Sequence, residues 1–129
     1  MNPWEKFKAA IVGRRVQLIR REYDWVLDFG DDLAIVVETL WRLRDENRIL
    51  VTSDDEGHQF GLPAPLDAEA AANDRLNGVA VVSLNDAAVT PDFTIHLDGG
   101  LAVDVIARSA GYESWQTSFG GAPIIGRCK

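Results

Sequence analysis

The chain has 129 residues, 47% hydrophobic and 26% charged, with a formal net charge of −7, the balance of a folded domain rather than a disordered one. The deficit is spread along the chain, nine basic against twelve acidic residues up to Leu66 and four against eight after it. Such a field repels phosphate backbones and anionic lipid, so neither nucleic acid nor a membrane is expected as a partner and a basic protein is favoured.

The first ten residues, MNPWEKFKAA, lack the apolar core of a secretory signal, and no apolar run reaches the ~20 residues of a membrane helix, so a cytoplasmic protein is expected. Asn2 is placed to cap a short helix with Pro3 at its first position, and Trp4, Phe7, Ala10 and Ile11 recur at helical spacing until Gly13. Arg14 to Glu22 changes to alternation and reads as a strand. Asp24 to Glu38 is a hairpin: Trp25, Leu27 and Phe29 face inward, Val26 and Asp28 outward, Gly30-Asp31-Asp32 turns the chain, and Leu33, Ile35 and Val37 resume the inward face. The returning strand continues to Trp41 and Leu43, and Asp45-Glu46-Asn47 turns it into a last strand, Ile49 to Thr52. The first unit is a helix and four strands.

A connector, residues 54–66, carries Asp54, Asp55 and Glu56 in a row and glycine and proline at a density that excludes regular structure. Asp67 then caps a second helix, Ala68 to about Asn77, followed by a strand from Val79 to Leu84. Asp92 to Ile106 repeats the first hairpin at a constant offset: Trp25 matches Phe93, Leu27 Ile95, Phe29 Leu97, Leu33 Leu101 and Ala34 Ala102. Tyr112 to Trp115 leads into a late strand, Gly120-Gly121 turns it, and Pro123 to Gly126 closes the chain. Cys128, the only cysteine, stands next to last, so an internal disulfide is excluded and a catalytic thiol is disfavoured.

These correspondences predict a single α+β domain over residues 1–129. It is a tandem duplication of an α-β-β-β-β unit, in repeats 1–53 and 67–127, with a mainly antiparallel sheet, pseudo-twofold symmetry and two short helices. The segments Gly13 to Val16, Trp25 to Val37, Phe60 to Ala68 and Gly111 to Gln116 resemble, in that order, a family of small uncharacterised bacterial proteins classed as a domain of unknown function. The Glu113-Ser114-Trp115 triplet also resembles late strands of some immunity proteins of bacterial toxin systems. The family resemblance spans nearly the whole chain and implies a fold but no activity.

The candidate sites follow from the side chains. Asp54, Asp55, Glu56 and His58 bring oxygens and an imidazole together, but their spacing matches no calcium loop or zinc signature, so a solvated acidic loop is expected, with no metal and no cofactor. Ser114 lacks a nucleophile elbow, and Arg14, Arg15, Arg20 and Arg21 are expected to pair with surface carboxylates or guard an edge strand. The leading expectation is a non-enzymatic acidic protein that masks a basic partner, as an immunity protein does. Its contacts would be the acids of turns and loops, Asp31, Asp32, Asp54, Asp55 and Glu56, with Trp41 and Trp115 as a related aromatic pair that either lines a groove or fills the core. The alternative is a ligand-binding or enzymatic domain using His96, Asp104 and Glu113 in a cleft between the two repeats.

Overall fold

The computed structural model describes residues 1–126; Cys128 and the last position assigned to the second repeat, Arg127, lie outside the described residues. Helix α1 (Pro3–Ile11) starts where the Asn2 side chain accepts the Glu5 amide at 2.8 Å, with proline where its missing N–H has no helical acceptor to lose. Five strands follow: β1 (Gln17–Arg20), β2 (Trp25–Asp28), β3 (Ala34–Val37), β4 (Leu40–Arg44) and β5 (Ile49–Thr52). Helix α2 (Ala68–Leu76), capped by Asp67 through the Ala70 amide, opens the second half. It is followed by β6 (Val81–Asp86), β7 (Phe93–Leu97), β8 (Ala102–Ile106), β9 (Trp115–Phe119) and β10 (Ala122–Gly126). Among the described residues no helix is long and apolar enough to cross a membrane.

Each half thus holds five strands, one more than the expected unit. The extra break in the first half falls at Glu38-Thr39, where the chain leaves one sheet and enters the other. Glu38 N–H donates to the Ser114 carbonyl at 2.9 Å in one sheet, while the Thr39 hydroxyl donates to the Ile106 carbonyl at 2.6 Å in the other. Inward alternation of Ile35, Val37, Thr39, Trp41 and Leu43 runs through the bend unbroken.

Two antiparallel five-stranded sheets result, in the orders β1-β2-β3-β9-β10 and β6-β7-β8-β4-β5. Both sheets take three strands from one half of the chain and two from the other, in the same sequence of roles. At their start, Gly13-Arg14-Arg15-Val16 and Gly78-Val79-Ala80-Val81 lie against one another: Arg15 bridges Ala80, Gly13 N–H donates to the Val81 carbonyl and Val81 N–H to that of Arg14.

The hairpin Asp24 to Glu38 is a strand pair in the expected register, Trp25 opposite Val37 and Leu27 opposite Ile35. Leu27 and Ile95 are fully buried, as nearly are Phe29 and Leu97, while Leu33 is buried and Leu101 only partly so. A period of two makes that outcome all or none, because a one-residue slip would turn every one of these side chains to water. The buried side chains of both halves form one cluster, and two aromatic pairs cross between the sheets: Trp25 on Trp41 at 4.9 Å and 78°, Phe93 on Trp115 at 5.2 Å and 87°. Gly126 lies opposite Trp115, and a Cβ there would fall 2.1 Å from the indole, so the bare backbone is what lets the ring lie flat on β10.

The helices close the sides. α1 packs on β9, β6 and β10, with Trp4 4.6 Å from the Trp115 ring and Phe7 edge-on to Phe29. α2 covers the edge strand β1: Asn73 accepts the Leu18 amide and donates to its carbonyl, each at 2.8 Å, and one turn earlier Glu69 accepts the Arg20 amide at 2.7 Å. An unpaired strand edge, otherwise a template for aggregation, is occupied by two side chains of the chain's own helix.

Candidate functional site

The acids named from the sequence are mostly committed to holding the fold. Asp31 and Asp32 sit in the hairpin turn with left-handed backbone (φ 51° and 63°), and Asp31 accepts from Arg14 Nη1 at 2.8 Å. Asp54 pairs with Arg108 at 2.7 Å. Asp55 accepts the Thr52 amide within a short 3-10 turn, and Glu56 caps α2 through the Ala68 amide while facing Arg20 at 3.7 Å. Asp31, Asp54, Asp55 and Glu56 thus each have a protein donor, while the Asp31 and Asp54 side chains stay largely exposed, at 81% and 65%. Arg21 likewise pairs with Asp24, so three of the four clustered arginines are bound to carboxylates, as their placement in an acidic chain implies. Among the described residues no three histidine, cysteine or acidic side chains converge on a point that would hold a metal ion.

Of the two readings of Trp41 and Trp115, the burial of both fits the one in which they fill the core and leaves no groove for them to line. They are 0% and 5% exposed, on the inner faces of opposite sheets, each edge-on to an aromatic ring of the facing sheet. Trp115 Nε1 donates to the Pro91 carbonyl at 2.7 Å, whereas the Trp41 indole nitrogen has no acceptor. Their bulk is what the interior needs at the two places where β4 and β9 cross it.

The His96, Asp104 and Glu113 grouping is corrected. Glu113 belongs to the segment entering β9 in the first sheet, while His96 (β7) and Asp104 (β8) lie on the outer face of the second. His96 and Asp104 border a depression that Arg42 and Arg44 of the first half also line, and Glu113 is not among its lining residues. Asp104 is buried and saturated: Oδ2 accepts from Arg42 Nε at 2.6 Å and Arg44 Nε at 2.7 Å, and Oδ1 from Thr94 Oγ1 at 2.7 Å and Arg44 Nη2 at 3.3 Å. Burial pushes its carboxyl upward, but the bonds from Arg44, Arg42 and Thr94 together outweigh it and hold the group below the ordinary aspartate range. With every lone pair engaged, Asp104 has no means of serving His96 as a base partner. Ser114 is buried too, its backbone bound to Gly126 and Glu38.

The connector has an architecture of its own. Gly57 N–H donates to the Leu66 carbonyl at 2.9 Å and Leu66 N–H to that of His58 at 2.8 Å, which closes the neck of a loop over residues 57–66. At its tip the Gln59 carbonyl accepts the Leu62 amide at 2.7 Å and the Gln59 side chain donates to the Leu62 carbonyl. Phe60 sits between them with φ +47°, 66% exposed, its ring stacked on His58 at 5.4 Å. A bulky residue with positive φ costs about 1–2 kcal/mol, and this one holds a phenyl ring out in water. The signal was present in His58 and Phe60 flanked by Gly57, Gly61 and two prolines.

The chain is thus an α+β protein of two interlocked antiparallel sheets that carries one closed-neck loop with an aromatic tip and one arginine-rich sheet face. Comparison with protein-family models, with curated proteins and with solved structures gave no match.

Proposed function

We propose that the chain is a non-enzymatic cytoplasmic binding protein that masks a basic protein, in the manner of an immunity protein, and that the loop 57–66 is its contact. The observation that carries this reading is the exposed, left-handed Phe60 on a loop whose neck is hydrogen-bonded shut. A rigid aromatic displayed at a conformational cost suits an anchor that is buried on association, and anchors of this kind dominate interface energies. Beside the loop's neck in the chain stand Asp54, Asp55, Glu56, Asp67 and Glu69, of which Glu56 faces Arg20 and Asp54 pairs with Arg108. The acids there are internally bonded, yet their summed field still reaches a basic partner at distances up to about a Debye length, ~8 Å at physiological salt. The non-enzymatic part rests on the Asp104 carboxylate being consumed by structural bonds and on the burial of Ser114. The matched element order of the two halves supports reading them as copies of one unit.

Immobilised full-length chain and its Phe60→Ala variant, each challenged with native lysate at low and high salt, test the reading. The expected result is a stoichiometric basic protein held by the parent chain, bound at least about thirty-fold more weakly by the variant, and associating more slowly as salt rises. An acidic or neutral captive, or one retained equally by the variant, would refute it.

A further inference from the structure

The outer face of the second sheet carries a row that its counterpart does not. Strand register lines up Asn85, Thr94, Asp104, Arg42 and Thr52 across five strands. The corresponding row of the first sheet is Ile19, Val26, Val36, Gln116 and Ile125. Same strand roles, same direction of the side chains: in one case four apolar residues and a glutamine, in the other a buried carboxylate clamped by two guanidinium groups. The fold is therefore stable at these positions without ions, and ion pairs of this kind are a poor source of stability compared with apolar packing.

Asp104 fixes Arg42 through Nε alone and Arg44 through Nε and Nη2. The two Nη nitrogens of Arg42 and the Nη1 of Arg44 have no protein acceptor among the described residues. Both side chains are about one-third exposed, at 37% and 33%, and they line a depression of about 470 Å³ that Thr94 and His96 also border. Two acids stand at its rim: Asp86, which shares Lys8 with Glu5 at 2.5 and 2.8 Å, and Asp92, whose Oδ1 accepts the Ala107 amide at 2.7 Å. The clamp itself, two cations on one anion, keeps a net positive charge.

We infer that this depression is a binding site for the oxyanion group of a small molecule, a carboxylate or a phosphate, held by the free edges of Arg42 and Arg44. Planar guanidinium groups locked by a shared carboxylate are preorganised for such a group, since the side-chain entropy is lost in folding and not in binding. The volume exceeds that of a bare ion and falls in the range of small-molecule sites. This inference is independent of the Phe60 loop and survives its failure.

The test is a titration of the isotopically labelled full chain with sodium phosphate and, separately, sodium acetate, against sodium chloride at matched ionic strength, followed by NMR. Saturable shifts of the Arg42 and Arg44 Nε–H signals and of the Thr94 and His96 amides are expected with at least one oxyanion, and the one that saturates identifies the ligand group. Arg42→Gln, which installs the residue found at the corresponding position 116, should weaken binding about tenfold, a difference of about 1.4 kcal/mol. Arg14→Gln, on a surface arginine elsewhere, should leave it unchanged. Shifts no larger than with chloride, or shared by every surface arginine, or unaltered in Arg42→Gln, would overturn the site; the parent chain alone decides the first two if that variant does not fold.

Discussion

The inner faces of the two sheets are nearly interchangeable and the outer faces are opposites. Inside, Trp25 on Trp41 and Phe93 on Trp115 are the same edge-on aromatic contact made twice, at 4.9 and 5.2 Å. Outside, one sheet shows Val26 and Val36 where the other shows Thr94 and Asp104. The difference teaches which side of a strand the architecture constrains. Inward positions are dictated by volume in a shared core, where packing is dense and each methylene is felt. Outward positions are dictated only by what the face must meet, and that face can be charged on one sheet and apolar on the other without altering the order of strands.

The comparison breaks most visibly if its inner half is wrong. Trp41→Ala and Trp115→Ala should each cost about 3–5 kcal/mol in urea unfolding, with Trp115→Ala the worse because the Pro91 carbonyl also loses its donor; near-neutrality of either would show that the two pairs are not equivalent. On the outer face, Asp104→Val alone should cost about 2 kcal/mol, below the ~3–5 kcal/mol of a fully buried pair because the arginines stay partly solvated. Converting the three central positions of the row, Thr94→Val with Asp104→Val and Arg42→Gln, should bring the stability back to within about 1 kcal/mol of the parent. The same variant should flatten the acid limb of the stability curve. Asp104 ionises more readily folded than unfolded, so its contribution is complete above the ordinary aspartate value of about 3.9 and is lost as pH falls through the lower folded value; unfolding midpoints at pH 7 and pH 3 would show it. The smallest change is Val26→Thr, expected within about 0.5 kcal/mol because that side chain is only half-buried, and a much larger loss would mean that the apolar face is covered by something.

The hairpins and both helices were legible because their signals are local. Period-two alternation through β2, β3 and β7, the turns Gly30-Asp31-Asp32 and Asp98-Gly99-Gly100, and the caps Asn2 and Asp67, need no knowledge of the rest of the chain. The passage from one sheet to the other at Glu38-Thr39 was not legible, since Val37, Thr39 and Trp41 keep alternating through it and alternation does not say which strand lies alongside. The arginine clamp was hidden for the same reason. Asp104 was noticed, but Arg42 and Arg44 lie some sixty residues away and reach it only through the pairing of β4 with β8. Phe60 was masked by its setting, because prolines and glycines say that regular structure is absent and say nothing of what an irregular loop displays.

The sharing of strands between the halves bears on how the protein is made. Val37 in β3 finds its partner, Trp115 in β9, nearly eighty residues later, and β4 finds β8 after about sixty. As the first half leaves the ribosome, β3 lacks β9, β4 lacks β8 and the β1 edge lacks its cover from α2, and none of these edges is closed until the second half has been synthesised. Contacts of such long range fold slowly and leave hydrophobic strand edges exposed meanwhile, so a truncated chain ending in the connector is expected to aggregate rather than fold, and synthesis of the whole is expected to be the step at which chaperones are needed most.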